Sequence, residues 1–482
     1  MAAGENYGRR NCPLTGNFCG PLASNWAPLM PSTSSRLPRC RVAAAVLALG
    51  VAPLLSRADP APLYQFEFGA GPLAPGYTQV LPTMTYAKDR GFGFEPGAKL
   101  VSVDRSDARD SDPLHAHFVT SDQPFYFSAH LPQEGNYRVT VTLGDAHGES
   151  TTTIKAELRR LMVEKIHTAT GEFRTVSFIV NTRTPRIPAT GDIKAGAVNL
   201  KAPRESTLEA WDWDDLLTLE FNNARPALCA LTITPVDVPT VFLIGDSTVC
   251  DQPREPFSSW GQSLPNFFTP DIAVANHGES GETYRASIER RRLDKMLSLM
   301  KPGDYMLMQF GHNDQKQIAA KTGGPFTTYK AEIKRHVEAV RARGGIPVII
   351  SPMERRMYNP DGSFRPSLAD YAEASRQSAR ELGVAFIDLN AQSMKFYAAL
   401  GPKKAYLAFA GHGLTRDATH HDNYGSYELA KIIIQGLRDD HLSLAAHIKP
   451  DFAGFDPLHP DDVDTFALPA SPVFTNQRPL GD

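Results

Sequence analysis

The ten residues VFLIGDSTVC (241–250) decide how this chain is read. Val241 to Ile244 form an apolar run that is too short for a helix and has no polar face, the pattern of a buried parallel strand. Gly245, Asp246 and Ser247 end it, and the loops at the carboxyl ends of parallel strands are where open α/β sheets place their active sites. Ser247 is then either a nucleophile or the N-cap of a following helix. The stretch alone leaves both readings open.

Working outward, Pro235 and Pro239 mark a change of pattern. Beyond them, apolar strands are expected at 241–244, 272–275, 304–310, 346–351 and 384–388, with helical periods between. In YKAEIKRHVEAVRARGG (329–345), Ile333, Val337 and Val340 recur on one face and the glycines stop the helix. A last helix is expected from about 424 to 437. These elements predict an α/β domain over 239–447, a parallel sheet covered on both faces. Residues 60–237 instead carry short alternating runs, among them NYRVTVTLGD (136–145), TVSFIVNTR (175–183), LLTLEFNN (216–223) and ALCALTITPV (227–236). They predict a β-sandwich whose role is binding or support, because it contains no paired catalytic constellation. Residues 448–482, rich in Pro and Asp, are expected to lie as a tail over the surface, with disorder as the alternative.

At the N-terminus, Arg36, Arg39 and Arg41 precede VAAAVLALGVAPLL (42–55), and SRA (56–58) offers a cleavage site. Residues 1–58 are read as an export signal with a start at Met30 as an alternative, and a secreted or periplasmic location follows. The apolar run is too short for a membrane span, so no integral membrane segment is expected in the mature chain. Fifty basic residues against 53 acidic ones leave no net field to concentrate nucleic acid, which is not expected as a partner. Cys12, Cys19 and Cys40 fall within the export segment; Cys229 and Cys250 remain and are expected to be free and buried. There is no CxxC or HExxH, and the pairs His115/His117 and His420/His421 are too isolated to imply a metal, so neither metal nor cofactor is expected.

A nucleophilic serine needs a base, an orienter for that base and donors for the oxyanion. DATHHDNYG (417–425) offers Asp417 and His420 just before the last helix. Asp112/His115 and Asp456/His459 share the DxxH spacing, but one lies in the β half and the other in the tail. FGHND places Asn313 after the strand 304–310, and NHGESGE places Gly281 after 272–275. Either is an oxyanion donor or a turn former. All four blocks fall in one domain, at strand ends or in the equivalent last loop.

GDST (245–248), the block ending at Gly281, GHND (311–314) and DATH (417–420) resemble the four signature blocks of the SGNH, or GDSL, hydrolases. GDSTVCDQP (245–253), SWGQSLPNFF (259–268) and QFGHNDQK (309–316) are similar to the rhamnogalacturonan acetylesterases among them. YQFEFGAGPLAPGYTQV (64–80) with RGFGFE (90–95) resembles the galactose-binding-like module, a jelly-roll β-sandwich, that precedes some of those esterases. The resemblance implies a flavodoxin-like three-layer α/β/α hydrolase domain and deacetylation of an acetylated polysaccharide or oligosaccharide, most specifically pectic rhamnogalacturonan. It implies Ser247 as nucleophile, His420 as base and Asp417 as its orienter. The oxyanion donors would be the N–H groups of Ser247 and Gly281 and the amide of Asn313. The alternatives are a general or lipolytic carboxylester hydrolase, an acetylxylan esterase, or a polysaccharide-binding protein with a vestigial site. The polar and aromatic residues Trp260, Tyr284, His312 and His412 argue against an acyl channel. One departure stands out: where the family often has Gly-Arg-Ser, this chain has Gly281, Glu282 and Thr283. A solvent-facing Glu282 would repel uronic sugars, unless Arg285 neutralises it.

Overall fold

In the first half of the chain, alternation of apolar and polar residues becomes two facing sheets. A computed structural model describes residues 60–106, 112–411 and 416–479; the expected export segment and His412 lie outside them. One sheet runs in the order Phe173–Thr182, Gly135–Gly144, Ala227–Pro235, Tyr64–Phe68, Thr78–Val80, with His117–Thr120 and Val101–Asp104 attached. The other runs Phe92–Phe94, Phe125–His130, Leu216–Asn222, Ser150–Ala156, Arg160–Thr168. Their inward side chains, among them Phe66, Phe68, Phe127, Val139, Val141, Leu219 and Leu231, form one core.

The second half holds five parallel strands in the order Ala273–Asn276, Thr240–Gly245, Tyr305–Gln309, Ile346–Ile350, Ala385–Ile387. The chain reverses its winding direction between Thr240–Gly245 and Tyr305–Gln309, a topological switch point at the end of the strand that leads into Ser247. Alternate side chains of Thr240–Gly245 enter two different cores. Val241 and Leu243 pack with the last helix, Asn423–Asp439, while Phe242 and Ile244 pack toward Lys330–Ala342 and Ala369–Leu382. That is the three-layer architecture, and a strand buried on both faces explains the unbroken apolar run. No helix among the described residues is long and apolar enough to cross a membrane.

From Ala58 on the chain forms a single unit, and the two halves are joined by buried charge. The tight turn before Arg160–Thr168 inserts Arg159 and Arg160 into the loop that follows Ser247. Arg160 bonds Asp251 (2.7 Å), Asp212 (2.8 Å) and the Asn181 carbonyl (2.7 Å); Arg159 bonds the Gln252 and Phe257 carbonyls and pairs with Glu255. The tail crosses the same seam: Lys155 donates to the Pro469 carbonyl and Ser471, and Asn222 to the Ala470 carbonyl. Cys229 and Cys250 are both free and buried.

Candidate active site

Ser247 sits in a single turn at the end of its strand and begins no helix. Asp246 holds the turn: its Oδ1 accepts from the Thr248 N–H (3.0 Å) and hydroxyl (2.7 Å), and its carbonyl accepts from Val249 and Cys250. The next helix starts only at Trp260, with Ser259 as its N-cap. The cap reading of Ser247 is therefore set aside. Gly245 must be glycine for packing, since a Cβ there would stand 2.6 Å from the Gln309 carbonyl oxygen and collide with Val249. Burial would raise the Asp246 carboxyl, but the charge and hydrogen bond of His312 (3.2 Å) and the Thr248 bonds hold it below its ordinary value.

The Ser247 hydroxyl lies 2.9 Å from His420 Nε2, and His420 Nδ1 lies 2.9 Å from Asp417 Oδ2. The whole line is buried, with Ser247 2%, His420 1% and Asp417 3% exposed. Asp417 Oδ1 accepts from the backbone N–H of Thr419 (2.7 Å) and of His420 (3.1 Å), which fixes the loop as well as the ring. Burial alone would raise the Asp417 carboxyl; the bond to His420, its charge and these two N–H donors hold it well below the usual carboxylate range. Spacing by itself does not select this pair, because all three DxxH motifs bring Asp and His together: 3.7 Å in Asp112/His115 and 2.8 Å in Asp456/His459. His115 stacks on Phe173 and His459 stands in solvent. What distinguishes His420 is the serine at its other nitrogen.

Asn313 is buried, and its Oδ1 accepts from Lys316 at 3.2 Å while its Nδ2 has no hydrogen-bond partner. An unpaired buried donor costs about 1–3 kcal/mol, a cost that an oxyanion accepting from Asn313 would remove. Gly281, in the loop after Ala273–Asn276, has φ +75°, a left-handed conformation that glycine adopts without strain. That loop is tied to the Ser247 strand through Glu279 N–H to the Gly245 carbonyl (3.0 Å). Arg355 links the remaining loops by donating to the His312 carbonyl (3.2 Å) and Thr419 (3.1 Å). Arg355 stands beside Arg356 in no recognisable motif, so nothing in the sequence marks it.

Three expectations are corrected here. Trp260 and Tyr284 are buried core side chains, Trp260 bonded to Gln309 and Tyr284 packed on Phe310 and Tyr329, so neither lines a cleft. Glu282 is fully buried and faces Lys201 (2.8 Å), Arg290 (3.3 Å) and Arg292 (3.8 Å). Arg285 pairs instead with Glu332. The first half of the chain also supports this loop: the segment after Gly196–Ala197 brings Lys201 to the Ser280 carbonyl and Arg204 to the Ser280 hydroxyl (2.9 Å), beside Gly281.

Residues 243–425 match the GDSL-like lipase/acylhydrolase family, and residues 64–178 match the beta-agarase/YXIM esterase-like, galactose-binding domain-like family. The chain is 32% identical over 219 residues to the rhamnogalacturonan acetylesterase RhgT of Bacillus subtilis (strain 168), which covers 43% of this chain and 93% of that protein. It is 27% identical over 387 residues to the uncharacterized esterase YxiM of the same organism, covering 78% of this chain and 91% of that one. The crystal structure of YxiM superposes with a TM-score of 0.40 at 24% identity, over 79% of this chain and 99% of that one.

Proposed function

We propose that this chain, which belongs to the GDSL-like lipase/acylhydrolase family, is an exported carbohydrate O-acetylesterase acting on plant cell-wall polysaccharide, with acetylated pectic rhamnogalacturonan as its substrate. The chain is a serine carboxylic ester hydrolase. The observation that carries the mechanism is the line Asp417, His420, Ser247, with 2.9 Å between each pair of polar atoms.

In this mechanism His420 Nε2 takes the Ser247 proton as the oxygen attacks the acetyl carbonyl. The charge that develops on the carbonyl oxygen is met by the Asn313 amide and the N–H groups of Gly281 and Ser247. Asp417 keeps the His420 proton on Nδ1, so that Nε2 is free to act as base, and stabilises the imidazolium that forms. His420 then returns the proton to the departing sugar oxygen, leaving an acetyl ester on Ser247. A water deprotonated by His420 attacks that ester, and acetate leaves as Ser247 regains its proton. Export rests on the basic residues, apolar run and SRA site at the N-terminus.

Acetate release from acetylated rhamnogalacturonan, xylan, mannan and chitin fragments tests the reading, with Ser247→Ala as the blank. Release from rhamnogalacturonan above the others is expected. Release only from lipid esters would overturn it.

A further inference from the structure

A cleft of about 410 Å³ lies one layer of side chains from the reactive line, and three residues of its lining touch the three members of that line. Gln252 donates to the Ser247 carbonyl (2.7 Å), the Phe257 ring stands edge-on to His420 with centroids 5.9 Å apart, and Arg478 Nε lies 3.4 Å from Asp417 Oδ2. Lys201, Arg204, Arg254 and Arg478 line this cleft and no Asp or Glu does. The four cations are not equivalent. Lys201 and Arg204 are taken up by Glu282, Glu279 and Glu209. Arg254 has no carboxylate partner among the described residues, and Arg478, 60% exposed, meets only Asp417, which already serves His420. Two guanidinium groups therefore line one space, Arg254 without a carboxylate partner among the described residues and Arg478, largely exposed, sharing Asp417 with His420.

We propose that Arg254 and Arg478 form an anion subsite that seats the carboxylate of a uronic sugar next to the acetylated residue, and so determine specificity. The proposal rests on the carbohydrate-esterase reading above. Guanidinium is the side chain suited to it, since its planar fork matches a carboxylate with two parallel hydrogen bonds and stays charged at any working pH. Burial of Glu282 removes the repulsion that a solvent-facing carboxylate there would have caused, and Lys201 and Arg290 neutralise it. Two walls of the cleft, 201–208 and 475–479, come from segments outside both family-matched stretches, so Arg478 is contributed from outside the matched hydrolase stretch and Arg254 from within it.

The test measures kcat and KM on an acetylated rhamnogalacturonan oligosaccharide and on its carboxyl-reduced derivative, for the wild type, Arg254→Gln, Arg478→Gln and the double variant. The wild type should prefer the carboxylate form by about 10- to 100-fold in kcat/KM, as expected for charge-assisted hydrogen bonds. The double variant should bring that ratio close to one through KM, Arg254→Lys should restore part of it, and added salt should narrow it. A ratio unchanged in the double variant, or equal losses on both substrates through kcat, would overturn the subsite; the second result would make Arg478 a support for Asp417 alone. If the wild type releases acetate from neither oligosaccharide, the carbohydrate reading fails, and the subsite is then decided by inhibition. The deacetylated oligosaccharide should compete with p-nitrophenyl acetate in the wild type and not in the double variant, and a wild type that is not inhibited would refute it.

Discussion

Replacing Asp417 by Asn keeps the shape of the side chain and removes one acceptor. The carboxylate accepts on both sides: Oδ2 from His420 Nδ1 at 2.9 Å, and Oδ1 from two backbone N–H groups at 2.7 and 3.1 Å. An amide has one oxygen, so its NH2 must face either the ring or the two backbone donors. Turning NH2 toward the backbone strands two buried N–H groups at about 1–3 kcal/mol each, whereas turning it toward the ring sacrifices one bond. The second arrangement wins, and His420 then accepts at Nδ1 and carries its proton on Nε2, against Ser247. The base is lost while the geometry stays. Asp417→Asn should therefore lower kcat on p-nitrophenyl acetate by about 10⁴ with a much smaller change in KM. Asp456→Asn is the control, because Asp456 makes the same contact with His459 at 2.8 Å, in solvent and away from any serine. Its turnover should match the wild type. An Asp417→Asn enzyme within tenfold of the wild type would refute the tautomer argument.

Asn313→Ala should lower kcat by about 10² to 10³ and leave KM nearly unchanged, since the amide is used when the oxyanion forms; a loss confined to KM would make it a substrate clamp. Arg160→Ala strips the cation from buried Asp251 and leaves Asp212 with Arg183 alone, and should destabilise the fold by about 3–5 kcal/mol in urea denaturation. A loss below about 1 kcal/mol, the range of an exposed pair, would show that the joint is not held by this charge. Burial pushes His336 down to about 4 from the ordinary 6.5, so the neutral ring stabilises the fold fully above pH 6.5 and that contribution is lost as pH falls toward 4. Over that window the wild type should lose about 3 kcal/mol more stability than His336→Gln, and equal losses would contradict the assignment.

The parallel sheet was legible because a strand buried on both faces must be an unbroken apolar run, as at 241–244, and the sandwich because one wet face enforces alternation, as at 136–145. The order of the four loop blocks was legible for the same reason: three follow a strand that could be found, and the fourth precedes the last helix, Asn423–Asp439. The segment 183–215 and the tail were not, because their positions are set by ion pairs such as Arg160 with Asp212 and by side-chain bonds to backbone such as Lys155 to Pro469, which have no period in sequence. Glu282 was misjudged for this reason. Its nearest cation, Lys201, comes from the other half of the chain, and only the folded seam places them together. The tail was expected on the surface, but its end reaches the reactive line through Arg478 and Asp417.

The central claim is that Ser247 is the atom that carries the acyl group. Treatment with a fluorophosphonate, followed by digestion and mass spectrometry, tests it most directly, because the reagent bonds only to a hydroxyl activated by a neighbouring base. One adduct per chain is expected, on the peptide that contains Ser247, with esterase activity falling in proportion to labelling and with neither labelling nor activity in Ser247→Ala. Inactivation with the adduct on another residue, or an unlabelled Ser247 in a chain that has lost its activity to the reagent, would contradict it.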